Sequence, residues 1–230
     1  MNTRETNVTV PDSEGWQSIV TDWSGDKETF HVPWGKLMMW IFLLSDTFIF
    51  GSFLTGYMTV RLSAVAAWPN PSEVFSLTIA GTQLPLILIA IMTFILITSS
   101  GTMAMAVNFA YRGERAVAAR LMIVTAVFGA MFVCMQAFEW TKLIGEGVRP
   151  WANPMGAAQF GSCFFMITGF HGMHVTAGVI YLLIVARRIQ RGHYERGAHG
   201  GKYDIVEIAG LYWHFVDLVW VFIFALFYLW

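Results

Sequence analysis

Five long apolar runs, each ended by a polar or charged stretch, organise this chain. They lie near Leu37–Val60, Thr82–Phe109, Val117–Ile144, Ala157–Ala186 and Val206–Trp230. A ~30 Å hydrocarbon core needs about 20 helical residues to cross, and each run supplies that length. Inside a bilayer every backbone N–H and C=O must find its partner within the segment, which a helix does by itself. The pattern therefore predicts an all-α polytopic membrane protein, a bundle of five transmembrane helices. Core helices of a large soluble protein are the other way to read such runs, but almost no polar sequence is left to cover them. Residues 1–36 are polar, with Asp12, Glu14, Asp22, Asp26 and Glu28, and form an N-terminal tail ahead of a membrane domain over 37–230. The tail lacks the apolar core of a cleavable signal peptide. Within it, Trp16, Ile19, Val20 and Trp23 fit either a short helix lying on the membrane surface or a mobile tail.

Composition agrees. Hydrophobic residues make up 56% and charged ones only 13%, against ~25% charge in ordinary soluble domains, so a water-facing surface of normal polarity cannot be built. The charge distribution says more than the net value. Arg4, Lys27 and Lys36 precede the first run, Arg112, Arg115 and Arg120 lie between the second and third, and Arg187, Arg188, Arg191, Arg196 and Lys202 between the fourth and fifth. The opposite side holds only Arg61, Lys142 and Arg149. The positive-inside rule then places the N-terminus in the cytoplasm and the C-terminus in the periplasm. Trp34, Trp68, Trp140, Trp151 and Trp230 fall near the predicted interfaces, as an aromatic belt would. These basic residues form no single patch, which argues against nucleic acid. Cys134 and Cys163 both sit in apolar runs and read as buried, reduced thiols, not as a disulfide or a CxxC zinc site. An inverted repeat of the transporter kind is hard to reconcile with five spans.

Ionisable residues within a span cost about 2.5–3.5 kcal/mol each on insertion scales, so each asks for an explanation. Asp46, Glu139, His171, His174, Glu207, His214 and Asp217 are the candidates. A rise of ~1.5 Å per residue from the basic flank places Asp46, Ser99, Ser100, Thr125, His174, His214 and Asp217 about 13–20 Å deep. All five helices thus present polar atoms in one layer near mid-membrane. Glu139, at roughly 33 Å, is near the far interface. Such a layer fits a proton or ion pathway, a haem held between His174 and His214, or hydrogen bonds that glue helices together at about 0.6–2 kcal/mol each. Spacing alone leaves all three open. His171 and His174, at i and i+3, share a helix face, but third and fourth metal ligands are not evident. Gly169, Gly172 and Gly178 predict close approach by a neighbouring backbone. The aromatics of the last run, including Trp213, Phe215 and Trp220, read as contacts with lipid or partner subunits.

Several segments resemble one family. Thr168-Gly169-Phe170-His171-Gly172-Met173-His174-Val175 is similar to the T-G-x-H-G-x-H-V segment of subunit III of haem-copper oxidases. Tyr212-Trp213-His214-Phe215-Val216-Asp217-Leu218-Val219-Trp220 resembles its Y-W-H-F-V-D-x-V-W, Gln136-Ala137-Phe138-Glu139-Trp140 its Q-x-x-E-aromatic segment, Thr98-Ser99-Ser100 its polar tract, and Leu44-Ser45-Asp46-Thr47-Phe48 its S-E/D motif. The resemblance covers roughly Leu37 to Trp230. Two departures stand out: five spans where many relatives have seven, and Asp46 where many have Glu, as in quinol-oxidase-type members.

The resemblance implies a non-redox subunit of a terminal oxidase in aerobic electron transport, in a bacterial inner membrane. Haem and copper would belong to subunit I, with subunit II in the same complex. This chain would hold no catalytic or metal-ligating set. It would bind phospholipid, stabilise subunit I and support proton uptake and translocation. Asp46 would then be a desolvated acid bonded to a neighbouring helix. An accessory protein of nitric oxide reductase shares the same core and is the nearest alternative. A proton channel or a haem-binding membrane anchor are alternatives of another class.

Overall fold

The computed structural model describes residues 33–79, 82–192 and 204–229. The tail, with its Trp16–Trp23 segment, and Trp230 lie outside the described residues. Five helices long and apolar enough to cross a membrane run over Trp34–Ser63 (α1), Ile87–Tyr111 (α2), Arg115–Gly145 (α3), Gln159–Gln190 (α4) and Asp204–Phe224 (α5). The last continues as a π-turn over Ala225–Leu229.

The helix ends follow from local chemistry. α2 stops where Gly113 takes φ 79°, and the amides of Gly113 and Glu114 then bond to the carbonyls of Ala110 and Phe109. Gly147, at φ 91°, ends α3 in the same way, with Gly147 and Val148 returning to Ile144 and Leu143. This double return satisfies carbonyls that a helix end leaves orphaned, and a Cβ would strain the left-handed residue. Between α1 and α2 the chain makes a single helical turn, Pro71–Val74, capped by the Asn70 side chain on the amide of Ser72. A short antiparallel hairpin follows, Ser76–Ile79 (β1) against Thr82–Pro85 (β2), with Ser76 opposite Pro85 and Ile79 opposite Thr82. The second apolar run begins at Thr82, yet its helix begins only at Ile87. Pro85 disfavours helical backbone at Leu84 and offers no amide of its own, so the run opens extended.

Sequential antiparallel hairpins place α2 against α3 and α3 against α4; α5 packs on both α2 and α4 and closes a four-helix bundle. α1 lies outside it, on α5 and α4, and is the least embedded of the five helices. The bundle core holds Met92, Leu96, Met103, Met122, Phe132, Val175, Trp213 and Trp220. Phe48, Phe94, Phe138, Met166 and Phe222 point outward. Apolar groups outside and polar ones inside is the arrangement that lipid rewards.

Two aromatic residues are placed differently from the sequence reading. Trp213 and Trp220 are 1% and 0% exposed, so neither is a lipid or subunit contact. The reason is room made by glycine on two neighbouring helices. A Cβ at Gly129 on α3 would collide with the Trp213 ring, and one at Gly178 on α4 would stand 3.0 Å from it. These glycines, and Gly169 beneath Trp140, admit indole rings instead of a neighbouring backbone, while a Cβ at Gly172 would meet nothing within 4 Å. Phe215 is half-buried. Trp140 is also drawn inward, and its indole N–H donates to Thr168 Oγ1 at 3.3 Å. Trp68 packs edge-on against Tyr57 and Phe160.

Candidate functional site

The polar groups of the predicted layer lie at two separate helix interfaces. At the first, Asp46 of α1 meets His174 of α4, with Oδ2 3.4 Å from Nε2 and side chains only 4% and 12% exposed. His174 Nδ1 lies 2.9 Å from the Phe170 carbonyl one turn back. A carbonyl only accepts, so Nδ1 carries the proton and Nε2 faces the acid. Phe50 and Phe170 pack on the His174 ring at 5.5 and 4.7 Å. Tyr212 of α5 donates its hydroxyl to the His174 carbonyl at 2.9 Å.

The second interface joins α2, α3 and α5. Ser100 Oγ is 2.6 Å from His214 Nδ1, and Asp217 lies one turn further along α5. The buried Trp213 N–H donates to Ser99 Oγ at 3.0 Å, and Thr102 bonds to Thr125 of α3 at 2.7 Å. Asp217 is half-buried, and its Oδ1 has no hydrogen-bond partner among the described residues. Asp46, His174, His214 and Asp217 are all at least half-buried at helix interfaces.

His174 and His214 therefore do not converge. One contacts Asp46 of α1 and the other Ser100 of α2, which opposes their serving as a shared axial pair. Among the described residues no group of three or more His, Cys, Asp or Glu side chains is placed to hold a metal ion. Cys134 is exposed on the outer surface, contrary to its sequence reading as a buried thiol, and Cys163 is half-buried.

A third cluster lies near the Lys142 end. Glu139 is 3% exposed, and its Oε2 accepts from Gln136 Nε2 at 2.9 Å and from the Tyr228 hydroxyl at 3.1 Å. The π-turn at the end of α5 turns both Phe227 and Tyr228 inward. It also leaves the Leu226 carbonyl free to accept from Tyr57 of α1 at 3.1 Å. A cavity of about 10 Å³, lined by Val74, Phe75, Leu88, Glu139, Lys142 and Leu143, adjoins the carboxyl group. Lys142 bonds to the Ser76 carbonyl and lies 3.5 Å from Glu146.

Glu207 is different from the other candidates. It sits in the first turn of α5, where a negative charge suits the helix dipole, and pairs with Lys36 of α1 and the Tyr111 hydroxyl of α2. It is an interfacial clamp between three helix ends, not a mid-membrane group. His171 lies deepest of all at 1% exposure, with Trp220 stacked on its ring at 5.4 Å and Phe132 edge-on at 5.8 Å. The partners Tyr57, Tyr111 and Tyr228 escaped the sequence reading. Equal depth from the span ends is a signal that could have linked Tyr228 to Glu139.

Five spanning helices joined through buried carboxyl, imidazole and hydroxyl groups define a polytopic membrane protein held together by polar contacts inside the bilayer. Comparison with known proteins makes this specific. The family model described as cytochrome c oxidase subunit III matches residues 12–230, and the chain belongs to that family. It is 32% identical over 204 residues to a probable quinol oxidase subunit 3 of Staphylococcus aureus, covering 89% of this chain and 92% of the relative. It is 37% identical over 192 residues to a cytochrome c oxidase subunit 3 of Synechocystis sp., covering 82% of this chain and 72% of that protein. The chain is thus a subunit III of a haem-copper oxidase, a membrane component of the respiratory chain that associates with other oxidase subunits.

Proposed function

We propose that this chain is the fastening subunit of a haem-copper terminal oxidase. It holds no redox centre itself. It packs beside subunit I, which carries haem and copper, with subunit II in the same complex. It preserves subunit I through long turnover and supports its proton uptake. The observation that carries this reading is the use of α1's polar groups. α1 is the least embedded helix, and three cross-helix contacts tie it down at three levels: Lys36 to Glu207, Asp46 to His174, and Tyr57 to the Leu226 carbonyl. Those positions stand about 15 Å apart along the helix, so they pin it along its length. Ionisable groups spent on such ties are structural members.

The charge distribution supports a bacterial inner membrane with the N-terminus in the cytoplasm. Lys36, Arg112, Arg115, Arg187 and Arg188 gather at one end of the bundle, and Arg61, Lys142 and Arg149 belong to the other. Phospholipid binding is supported by α1 packing chiefly on α5 and α2 chiefly on α3, with little contact between α1 and α2, beside an apolar outer surface. The test is purified oxidase depleted of this chain. It should keep its haem and copper spectra and its initial turnover, then inactivate sooner than the intact complex. Equal lifetimes over prolonged turnover would overturn the role.

A further inference from the structure

The α3–α4 interface contains two buried polar groups that nothing above employs. Gln136, 4% exposed, spends its Nε2 on Glu139, and its Oε1 has no hydrogen-bond partner among the described residues. His171, 1% exposed, has none for either ring nitrogen. A polar group left without a partner is costly in a low-dielectric interior, so two on one interface call for an occupant.

They lie at the same level. α3 and α4 run antiparallel, with Trp140 bonded to Thr168 and Gly129 packed against Val179. Between these two fixed points the register brings Gln136 opposite Gly172, beside His171. The groups are also complementary. An amide oxygen only accepts, and a neutral imidazole offers one N–H. Aromatic rings close the other directions, with Trp220 on the imidazole face, Phe132 perpendicular to it, and Phe50 at 6.4 Å. At Gly172 itself the space is open, since a Cβ built there meets no atom within 4 Å.

We propose that this interface is a binding site for an internal water molecule, which accepts from a His171 N–H and donates to Gln136 Oε1. The water extends the Glu139 network. From the Lys142 end, Tyr228 and Gln136 donate to Glu139; through the water the chain of hydrogen bonds reaches His171. His171 stands one helical turn from His174, and so from the Asp46 contact. The glycine of the H-G-x-H segment then has a purpose that backbone packing does not give it, because it leaves room for the solvent molecule.

The test is an electron cryomicroscopy map of the intact oxidase at a resolution that shows ordered water. We expect density within about 2.7–3.2 Å of both Gln136 Oε1 and a His171 ring nitrogen. A direct Gln136–His171 hydrogen bond overturns the proposal, and so does a dry interface. A second measurement uses Gln136→Leu, His171→Phe and the double variant, each in the whole complex, reading the half-life of chain retention at raised temperature. A shared water makes the two losses overlap, so the double variant should be no shorter-lived than the worse single one. Multiplying losses would overturn the bridge.

Discussion

Asp46 of α1 and His174 of α4 meet side chain to side chain across their helix interface. Nδ1 of His174 donates to the Phe170 carbonyl, so Nε2, 3.4 Å from Asp46 Oδ2, faces the acid either as a lone pair or as a second N–H. A bare lone pair against an ionised carboxylate would repel. The arrangement needs either a protonated acid donating to Nε2 or an imidazolium donating to the carboxylate.

The two forms predict different mutational outcomes. Asp46→Asn keeps a donor toward Nε2 and should hold α1 in place, within about 1 kcal/mol of the wild-type complex. Asp46→Ala removes the partner of a buried imidazole and should cost about 1–3 kcal/mol. Retention of the chain during detergent purification at graded temperature measures both. Asn behaving as badly as Ala would show that the contact depends on charge.

Gly129 and Gly178 form the slot for Trp213, and their substitution should be felt strongly. At Gly129 a Cβ would overlap the indole ring, and at Gly178 it would stand 3.0 Å from both Trp213 and Tyr212. Gly129→Ala should cost about 1–3 kcal/mol, the usual penalty for overpacking a filled core. Gly178→Ala should cost less, because a ring shift of a few tenths of an ångström relieves it. Gly101→Ala on α2, with nothing within 4 Å, is the control and should leave thermal stability of the complex near wild type. A reversed ranking of Gly129 and Gly101 would contradict the packing.

The sequence made depth legible and direction illegible. Counting 1.5 Å per residue put Asp46, His174, His214 and the Ser99–Ser100 pair at one level, and the contacts above join residues of that level. The count says nothing of azimuth, so it did not divide the layer into an α1–α4 contact and an α2–α5 contact. It equally left His174 and His214 as a conceivable axial pair, which their separate commitments now oppose. Trp213 and Trp220 failed for a related reason. Bulky aromatics suggest the outside of a bundle unless the small residues facing them are known, and those lie on α3 and α4, over thirty residues away in the chain. The β1–β2 hairpin was hidden because apolar content continues from Thr82 into α2, and only Pro85 marks the break.

Salt separates the terminal clamp from the interior contacts. Lys36 and Glu207 have side chains 29% and 22% exposed, and pairs in such surroundings contribute roughly 0–1 kcal/mol and are screened by ions. Lys36→Met should shorten chain retention measurably at low ionic strength and hardly at all in ~0.5 M salt. The loss from Asp46→Ala should be nearly the same at both. Equal salt sensitivity of the two variants would mean that Asp46 is reached by solvent.

Proton flux is the outcome that divides a fastener from a channel. A proton wire needs an unbroken run of exchangeable groups between the two ends of the bundle. Here the contacts are local. Asp46 and His174 are enclosed by Phe50 and Phe170, while Ser100, His214 and Asp217 lie at another interface, on the far side of Trp213 and Ser99. Toward the Lys36 end, the buried residues include Leu43, Met103, Ala106 and Val206, none of which exchanges a proton. The chain alone in liposomes should therefore pass protons no faster than protein-free vesicles, and Asp46→Asn should change nothing. A flux above that background that Asp46→Asn abolishes would return the mid-membrane carboxyl group to a conducting role, and the three ties on α1 would then be scaffolding around a path.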